Sequence, residues 1–291
     1  MCIRAWVRTM VSVLALGGIL SCARAETGGF VVLTSFYPIY IHTVNVTKGV
    51  AGVDVANLTP SLTGCLHDYQ LTTADMARLI RARILVVNGA GMESFLDQAI
   101  RQAPALKVVN ASEGIALIKT GAGENPHVWA SLALAARQVQ NIAAGLARAD
   151  AGNAEAYQRN ARAYVARLEA LRDRMHEGLR DLRTRDIVTF HEAFPYFAAE
   201  FQLNVAAVIE REPGAEPGAR ELARTAEIVK SKGVRALFVE PQYPPGAAEA
   251  IARETGARMY RLDPAVTGPM DPDAYLRIME ANLAVLKEAL K

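Results

Sequence analysis

The chain has 291 residues, a formal net charge of +2 and 51% hydrophobic residues. A chain so close to neutral has no electrostatic basis for binding the phosphate backbone of a nucleic acid, so we expect no nucleic-acid partner. Beyond a predicted leader, about 265 residues remain, which is more than a single hydrophobic core usually organises. We therefore expect two domains.

The first 25 residues have the pattern of a targeting segment. Arg4 and Arg8 precede an uncharged apolar run from Met10 to Leu20, and Ala23-Arg24-Ala25 forms a small-residue cleavage site. The run is shorter than the roughly 20 residues that a membrane-spanning helix needs. We predict a signal peptide over residues 1–25 and a periplasmic or other extracytoplasmic location. Without the three arginines of this segment the formal charge becomes −1.

A second cleavage pattern overlaps the first. Ile19-Leu20-Ser21-Cys22 is similar to a lipobox, in which Cys22 is lipidated and becomes the first residue of a membrane-anchored lipoprotein. The sequence leaves release and anchoring both open. A released chain keeps only Cys65 of the three cysteines, and one cysteine cannot form an internal disulfide.

Short β-branched runs alternate with helical stretches through the first half of the chain. Strands are predicted at Val31–Thr34, Val53–Leu58, Ile84–Asn88 and Lys107–Asn110, and helices at Tyr40–Lys48, Thr73–Arg81 and Glu93–Gln102. Apolar strands separated by helices indicate a mostly parallel sheet with helices on both faces. We expect an N-terminal α/β lobe over residues 26–150.

A long helix is predicted next, within a linking segment of residues 151–183. Residues Ala154 to Leu182 contain no proline and no glycine before Gly178, and Asn153 is a candidate N-cap. One apolar stripe runs along it at spacings of three and four. Its members are Tyr157, Ala161, Tyr164, Val165, Leu168, Leu171 and Met175. Such a helix is about 40 Å long at 1.5 Å per residue, and we expect it to join two lobes rigidly.

The second half repeats the alternation, without a visible sequence repeat. Strands are predicted at Ile187–Phe190, Val205–Ile209, Ala236–Val239 and Arg258–Leu262, and helices at Pro195–Gln202, Ala219–Lys232, Ala247–Glu254 and Asp273–Lys287. We expect a C-terminal α/β lobe over residues 184–291. The predicted fold class is thus α/β, with two lobes that each carry a mostly parallel sheet.

Three of the five histidines stand where a strand or helix gives way to a loop. His67 follows the second predicted strand, His127 lies beside Pro126, and His191 directly follows the strand Ile187–Phe190. Asp263 ends the last predicted strand. Ligands gather at the carboxyl ends of strands in such sheets. Three neutral imidazoles and one carboxylate suit a tetrahedral Zn²⁺ ion, so we predict a zinc site between the lobes.

Six motifs occur in order along the chain. They are Gly64-Cys65-Leu66-His67-Asp68-Tyr69-Gln70-Leu71-Thr72, Asn88-Gly89-Ala90-Gly91-Met92-Glu93, Asn125-Pro126-His127-Val128-Trp129, His191-Glu192-Ala193-Phe194-Pro195-Tyr196-Phe197, Glu240-Pro241-Gln242-Tyr243 and Leu262-Asp263-Pro264. In this order and spacing the chain resembles the zinc- and manganese-binding solute-binding proteins of ABC importers, the cluster A-I family. The resemblance covers essentially the whole chain after the leader.

The resemblance implies a function and a ligand set. In that family the histidines that correspond to His67, His127 and His191 bind the metal, and the aspartate that corresponds to Asp263 often supplies the fourth ligand. The implied role is to capture Zn²⁺ as a transported ligand and to deliver it to the permease of an ABC importer in the membrane. We expect a monomer that is not an enzyme.

The chain departs from the family pattern at two places. Some zinc-binding members carry a glutamate where Leu66 stands, so Asp263 or water must fill that position here. The loop Lys119–Glu124 is short and has no histidine, which argues against accessory zinc scavenging. Manganese-binding members usually have a glutamate in place of His191, so the resemblance favours Zn²⁺ over Mn²⁺.

Other interpretations stay open. Three histidines with an open fourth position also describe a catalytic zinc, which in a hydrolase needs a general base such as Glu192 or Asp68. Some relatives are surface adhesins, a role compatible with a lipidated Cys22. Cys65 could be a soft extra ligand or a small half-buried residue in a tight loop, and we expect the second.

Overall fold

The computed structural model of the chain describes residues 29–66, 69–120, 123–210 and 217–291. The predicted signal peptide, with Cys22, and the candidate ligand His67 lie outside these described residues.

The first lobe is built on a parallel sheet. Its strands are β1 (Phe30–Thr34), β2 (Val53–Asn57), β3 (Ile84–Val87) and β4 (Lys107–Asn110), in the order β2-β1-β3-β4. All four residues of β3 are buried, as expected for a central strand covered on both faces. A short antiparallel pair, β5 (Lys119–Thr120) and β6 (Gly123–Glu124), follows.

The second lobe repeats this topology. Its strands are β7 (Asp186–Thr189), β8 (Asn204–Val208), β9 (Ala236–Val239) and β10 (Arg258–Arg261), all parallel, in the order β10-β9-β7-β8. Counted from the first strand of each lobe, both sheets have the order 2-1-3-4. The predicted two-lobed α/β fold is therefore confirmed.

Nine α-helices are found in the described residues. They are α1 (Tyr37–Val46), α2 (Thr73–Arg81), α3 (Asp97–Arg101), α4 (Leu132–Ala149), α5 (Ala154–Gly178), α6 (Pro195–Phe201), α7 (Ala219–Ser231), α8 (Gly246–Thr255) and α9 (Ala274–Leu290). None of the helices in the described ranges has the length and apolar character needed to span a bilayer.

The strand order of each lobe creates a switch point at the carboxyl ends of its first and third strands, where ligands of such folds bind. In the first lobe Ser35 follows β1 and Asn88 follows β3. In the second lobe Glu240 directly follows β9, and His191 comes two residues after the end of β7. The topology therefore brings His191 and Glu240 to one crevice.

The long helix α5 joins the lobes together with two further helices. At 25 residues it is about 37 Å long. α4 packs along α5 after the short turn Ala151–Asn153, and α9 packs against α5 from the other end of the chain. One hydrophobic core includes Val32 of β1, Leu168 of α5 and Phe238 of β9. The connection is thus a packed helical layer and not a single strut.

The predicted apolar stripe of α5 is confirmed, since its seven members are the buried residues of the helix. Two other details differ. The sequence reading missed α4, whose first turn is capped by the Ser131 hydroxyl accepting from the Leu134 N–H. Asn153 occupies the N-cap position of α5, as predicted, but its side chain makes no capping hydrogen bond, because its amide donates to Asp150 instead.

Candidate metal centre

His191 is held by a carboxylate at the switch point of the second lobe. Its ring is fully buried, and its Nδ1 lies 2.5 Å from Glu240 Oε1. The backbone N–H of His191 donates to the same oxygen at 3.3 Å. Since a carboxylate only accepts, Nδ1 carries the proton and Nε2 directs its lone pair away from Glu240. A carboxylate behind an imidazole is the usual support of a metal-binding histidine.

His127 is held in the same way by an amide. Its backbone N–H donates to Asn125 Oδ1 at 3.0 Å, and its Nδ1 lies 3.1 Å from that oxygen. Because Oδ1 accepts the backbone N–H, it also accepts from Nδ1, and Nε2 again presents its lone pair. The Asn125 amide nitrogen donates to the Glu192 carbonyl at 2.8 Å, which ties this loop to the second lobe.

The loop that carries His127 is fixed from both lobes. The Asn88 amide, after β3, donates to the Pro126 carbonyl at 2.9 Å. On the other side the Trp129 indole N–H donates to the Pro264 carbonyl at 2.8 Å. His127 therefore belongs to the first half of the chain but lies against the second sheet.

The two imidazoles converge with a thiol. The Nε2 atoms of His127 and His191 are 3.2 Å apart, and Cys65 Sγ lies 3.7 Å from Nε2 of His191. The three candidate ligand atoms all lie within 4.8 Å of one another. Both rings are buried and Cys65 is half-buried. Across the described part of the chain, this is the one group of three or more such side chains close enough to share an ion.

These separations match the edges of a zinc coordination tetrahedron. With Zn–N bonds of about 2.0–2.1 Å and a Zn–S bond of about 2.3 Å, tetrahedral angles place two nitrogens about 3.3 Å apart and a nitrogen and a sulfur about 3.6 Å apart. The observed distances are 3.2 Å and 3.7 Å. The donor set of imidazoles and sulfur suits a borderline-soft cation such as Zn²⁺.

The pKa values of two groups in the cluster, His191 and Cys65, differ from their ordinary values. Burial alone disfavours the imidazolium of His191, but the Glu240 carboxylate and Cys65 outweigh it and raise the pKa of His191 above its ordinary value. Burial raises the pKa of the Cys65 thiol, partly opposed by its contacts with His191 and Tyr243. A cation that binds here therefore displaces protons.

Asp263 lies outside this cluster. It comes two residues after β10, and its Oδ1 accepts from the Ala265 backbone N–H at 2.8 Å. Burial, with a smaller effect of Glu240, raises its pKa to about 6. Asp263 lines a cavity of about 280 Å³ that runs along α9. Of the four predicted ligands, the structure brings together His127 and His191, places Asp263 outside their cluster and does not describe His67.

Sequence reasoning missed three members of the site. Cys65 was expected to be a small loop residue, yet its sulfur faces His191. Glu240 and Asn125 were part of quoted motifs but had no assigned role. The signal for Glu240 was its position, because a carboxylate directly after a buried strand must lie at the switch point.

Comparisons with known proteins show the family and the fold of the chain. A family model described as "Zinc-uptake complex component A periplasmic", ZnuA, matches residues 32–289. The chain is 29% identical to the high-affinity zinc uptake system protein ZnuA of Bacillus subtilis, over 94% of this chain and 93% of that protein. It is 27% identical to the zinc-binding lipoprotein AdcA of Streptococcus pneumoniae, over 93% of this chain but only 58% of AdcA.

A solved structure shows the same architecture. The solute-binding protein FpvC of Pseudomonas aeruginosa, in complex with Ni²⁺, superposes with a TM-score of 0.81 at 30% sequence identity. The match covers 90% of this chain and 97% of FpvC. FpvC is also known in complex with Mn²⁺. With the family model matching almost the whole described chain, this protein belongs to the ZnuA family, the periplasmic component A of zinc-uptake complexes.

Proposed function

We propose that this protein is an extracytoplasmic receptor that captures Zn²⁺ between its lobes and delivers it to the permease of an ABC importer. The proposed ligands are the imidazoles of His67, His127 and His191, with Asp263 or water in the fourth position. Zinc is cargo here, so the protein acts without catalysis, as a monomer. The family to which the chain belongs consists of uptake components.

One observation carries the proposal. The Nε2 atoms of His127 and His191 lie 3.2 Å apart, and each ring has its Nδ1 hydrogen-bonded to an oxygen acceptor. If both rings are neutral, their lone pairs meet at this distance and repel, so a cation has to lie between them: a proton on His191 in the metal-free protein, or a metal ion that replaces it. The arrangement therefore fits a site shaped for a metal ion.

Two other functions are less well supported. A zinc hydrolase needs an open coordination position and a nearby general base, and the candidate base Glu192 is not part of the cluster formed by Cys65, His127 and His191. A manganese receptor needs an oxygen-rich site, whereas nitrogen and sulfur dominate here. Because FpvC is known with both Ni²⁺ and Mn²⁺, metal preference must be measured and not assumed.

The test is a competitive zinc titration of the purified protein against a chromophoric chelator. We expect one tight site in the wild type, with Mn²⁺ bound more weakly by orders of magnitude. His127→Ala and His191→Ala should each weaken Zn²⁺ binding by at least about 100-fold, since each removes a ligand (about 2.7 kcal/mol or more).

His176→Ala is the matched control, because His176 is an exposed histidine on α5 and is not part of the cluster. It should bind Zn²⁺ like the wild type. Unchanged zinc affinity in both site variants contradicts the proposal. The delivery step is tested separately, by uptake of radioactive zinc into zinc-starved cells that carry the wild type or His191→Ala as their only copy.

A further inference from the structure

We propose that Cys65 is a metal ligand, and that its thiolate takes the fourth coordination position for which Asp263 was the candidate. The inference rests on the proposed function, because the bound ion is the receptor's own cargo. It changes the chemistry of the site from three nitrogens and an oxygen to three nitrogens and a sulfur.

Cys65 lies at a coordination distance from the two imidazoles. Sγ of Cys65 lies 3.7 Å from Nε2 of His191, close to the edge of about 3.6 Å that a tetrahedral zinc with one sulfur and one nitrogen requires. The sulfur also lies within 4.8 Å of the ligand atom of His127. One ion can therefore contact all three atoms with little movement of the loop.

The fold also fixes the position of Cys65. Leu66, the next residue, is buried in the main hydrophobic core, and its carbonyl accepts from the Tyr69 N–H at 3.1 Å. Gly64, the preceding residue, has φ +82 and passes close to Gln242 of the second lobe. At that φ a side chain is strained, so glycine permits the turn that brings Cys65 to the cleft.

Aromatic side chains surround the sulfur of Cys65. The Tyr243 side chain hydrogen-bonds Cys65, and its ring meets the His191 ring edge-on at 5.6 Å between centroids. Tyr243 in turn stacks on Phe190, with ring centroids 5.8 Å apart. Each member of the cluster thus has an orienting partner: Glu240 for His191, Asn125 for His127 and Tyr243 for Cys65. Such partners are typical of metal ligands.

Asp263 is the weaker candidate for the same position. Its Oδ1 accepts from the Ala265 N–H, and its backbone N–H donates to Asn282. These bonds fix the Asp263 carboxylate within its own loop. A thiolate and a carboxylate carry the same charge, so the net charge of the loaded site is the same with either ligand. They differ in softness, because sulfur favours Zn²⁺ strongly over Mn²⁺.

X-ray absorption at the zinc edge tests the inference directly. The sample is zinc-loaded protein in which Cys2 and Cys22 are replaced by serine, so that Cys65 is the only thiol. We expect one sulfur scatterer at about 2.3 Å beside nitrogen scatterers at about 2.0–2.1 Å. In Cys65→Ser the sulfur shell should disappear, while an Asp263→Asn variant should keep it.

Affinity gives a second readout. Cys65→Ser should weaken Zn²⁺ binding by at least about tenfold (about 1.4 kcal/mol) and Mn²⁺ binding by less, so the Zn/Mn preference falls. Thr63→Ala, a change in the same loop outside the cluster, is the matched control and should leave both affinities unchanged.

The outcomes separate the two proposals. Zinc bound through nitrogen and oxygen alone, with no sulfur shell in the protein that retains Cys65, overturns this inference and leaves the receptor intact. Failure of that protein to bind zinc at all overturns the proposed function as well. A sulfur shell that is lost in Cys65→Ser supports both.

Discussion

At the scale of single residues, the site depends on the partners behind the ligands. Glu240 and Asn125 accept from Nδ1 of His191 and His127, and this fixes which ring nitrogen faces the metal. Without them each ring could turn or change tautomer. We therefore expect the two oxygen acceptors to increase metal affinity without contacting the ion themselves.

We predict that Glu240→Gln weakens Zn²⁺ affinity by about 10–100-fold, as substitution of such partners typically does. An amide can donate to Nδ1 and stabilise the wrong tautomer, and it removes the negative charge that balances the cation. Isothermal titration with a competing chelator measures the change. Glu249→Gln on α8, where Glu249 faces Arg253 at the surface, is the control. Equal affinity of Glu240→Gln and wild type would show that the carboxylate has no orienting role.

Zinc binding should release protons and weaken in acid. The pKa of His191 is raised in the metal-free protein, so its imidazole is protonated at neutral pH and must lose that proton to bind Zn²⁺. Each displaced proton costs about tenfold in apparent affinity per pH unit below the raised pKa.

Calorimetry in two buffers of different ionisation enthalpy counts the released protons. We expect at least one at pH 7, and a lower affinity at pH 5.5 than at pH 7.5. Binding that neither releases protons nor varies with pH over this range contradicts this account of the site.

Some residues of the site could be predicted from the sequence and others could not. His127 and His191 could be predicted, because a motif and a strand end place each of them. Cys65 could not, because its role depends on how the loop around Gly64 crosses to the second lobe, and no local pattern encodes that path. Asp263, the fourth ligand predicted from the sequence, lies outside the cluster, and His67 stays a prediction.

At the scale of elements, the helical layer contains an unusual polar residue. His42 of α1 is fully buried between Tyr275 of α9, with ring centroids 4.9 Å apart, and Tyr164 of α5, at 6.0 Å. Neither ring nitrogen has a hydrogen-bond partner among the described residues. Burial lowers the pKa of His42 to about 3.

His42 should therefore make the fold sensitive to acid. Between pH 6.5 and about 3 the unfolded chain binds a proton at this residue and the folded chain does not, so stability falls as pH falls through this window. We predict that His42→Phe keeps an aromatic ring at this position but no longer takes up the proton. Between pH 7.5 and pH 4.5 its free energy of unfolding should fall by about 2–3 kcal/mol less than that of the wild type.

Urea unfolding of the metal-free protein at the two pH values measures this difference. His176→Phe on α5 changes an exposed histidine and is expected to keep the wild-type dependence on pH. If His42→Phe loses as much stability in acid as the wild type, the buried ring is not the source of the sensitivity.

The helices α4 and α5 were not equally easy to predict from the sequence. The stripe of α5 was readable because large apolar residues recur at helical spacing among charged ones. In α4 much of the buried face is alanine, including Ala135, Ala136 and Ala143, so the contrast between its faces is weak. In the turn before α5 the Asn153 side chain donates to Asp150, and this pairing depends on tertiary packing that the local sequence does not show.

At the scale of the whole molecule, two sheets of the same topology share one hydrophobic core with α5. The hydrogen bond from Trp129 to the Pro264 carbonyl crosses between them. A shared core resists the large rotations of domains that are joined only by flexible strands.

Zinc binding should therefore change the overall shape very little. We expect the radius of gyration from small-angle scattering to be equal, within error, for metal-free and zinc-loaded protein. The change should be confined to loops, visible as slower amide exchange around Gly64 and Asn125. A clear decrease in the radius of gyration on binding would mean that the lobes close by a wide hinge.

The central claim is that imidazoles held by the two lobes share one zinc ion. Anomalous diffraction at the zinc edge, from crystals of protein purified without added metal, tests it most directly. We expect a single zinc peak about 2.0–2.1 Å from Nε2 of both His127 and His191. A zinc peak elsewhere, or another metal between the two rings, contradicts it.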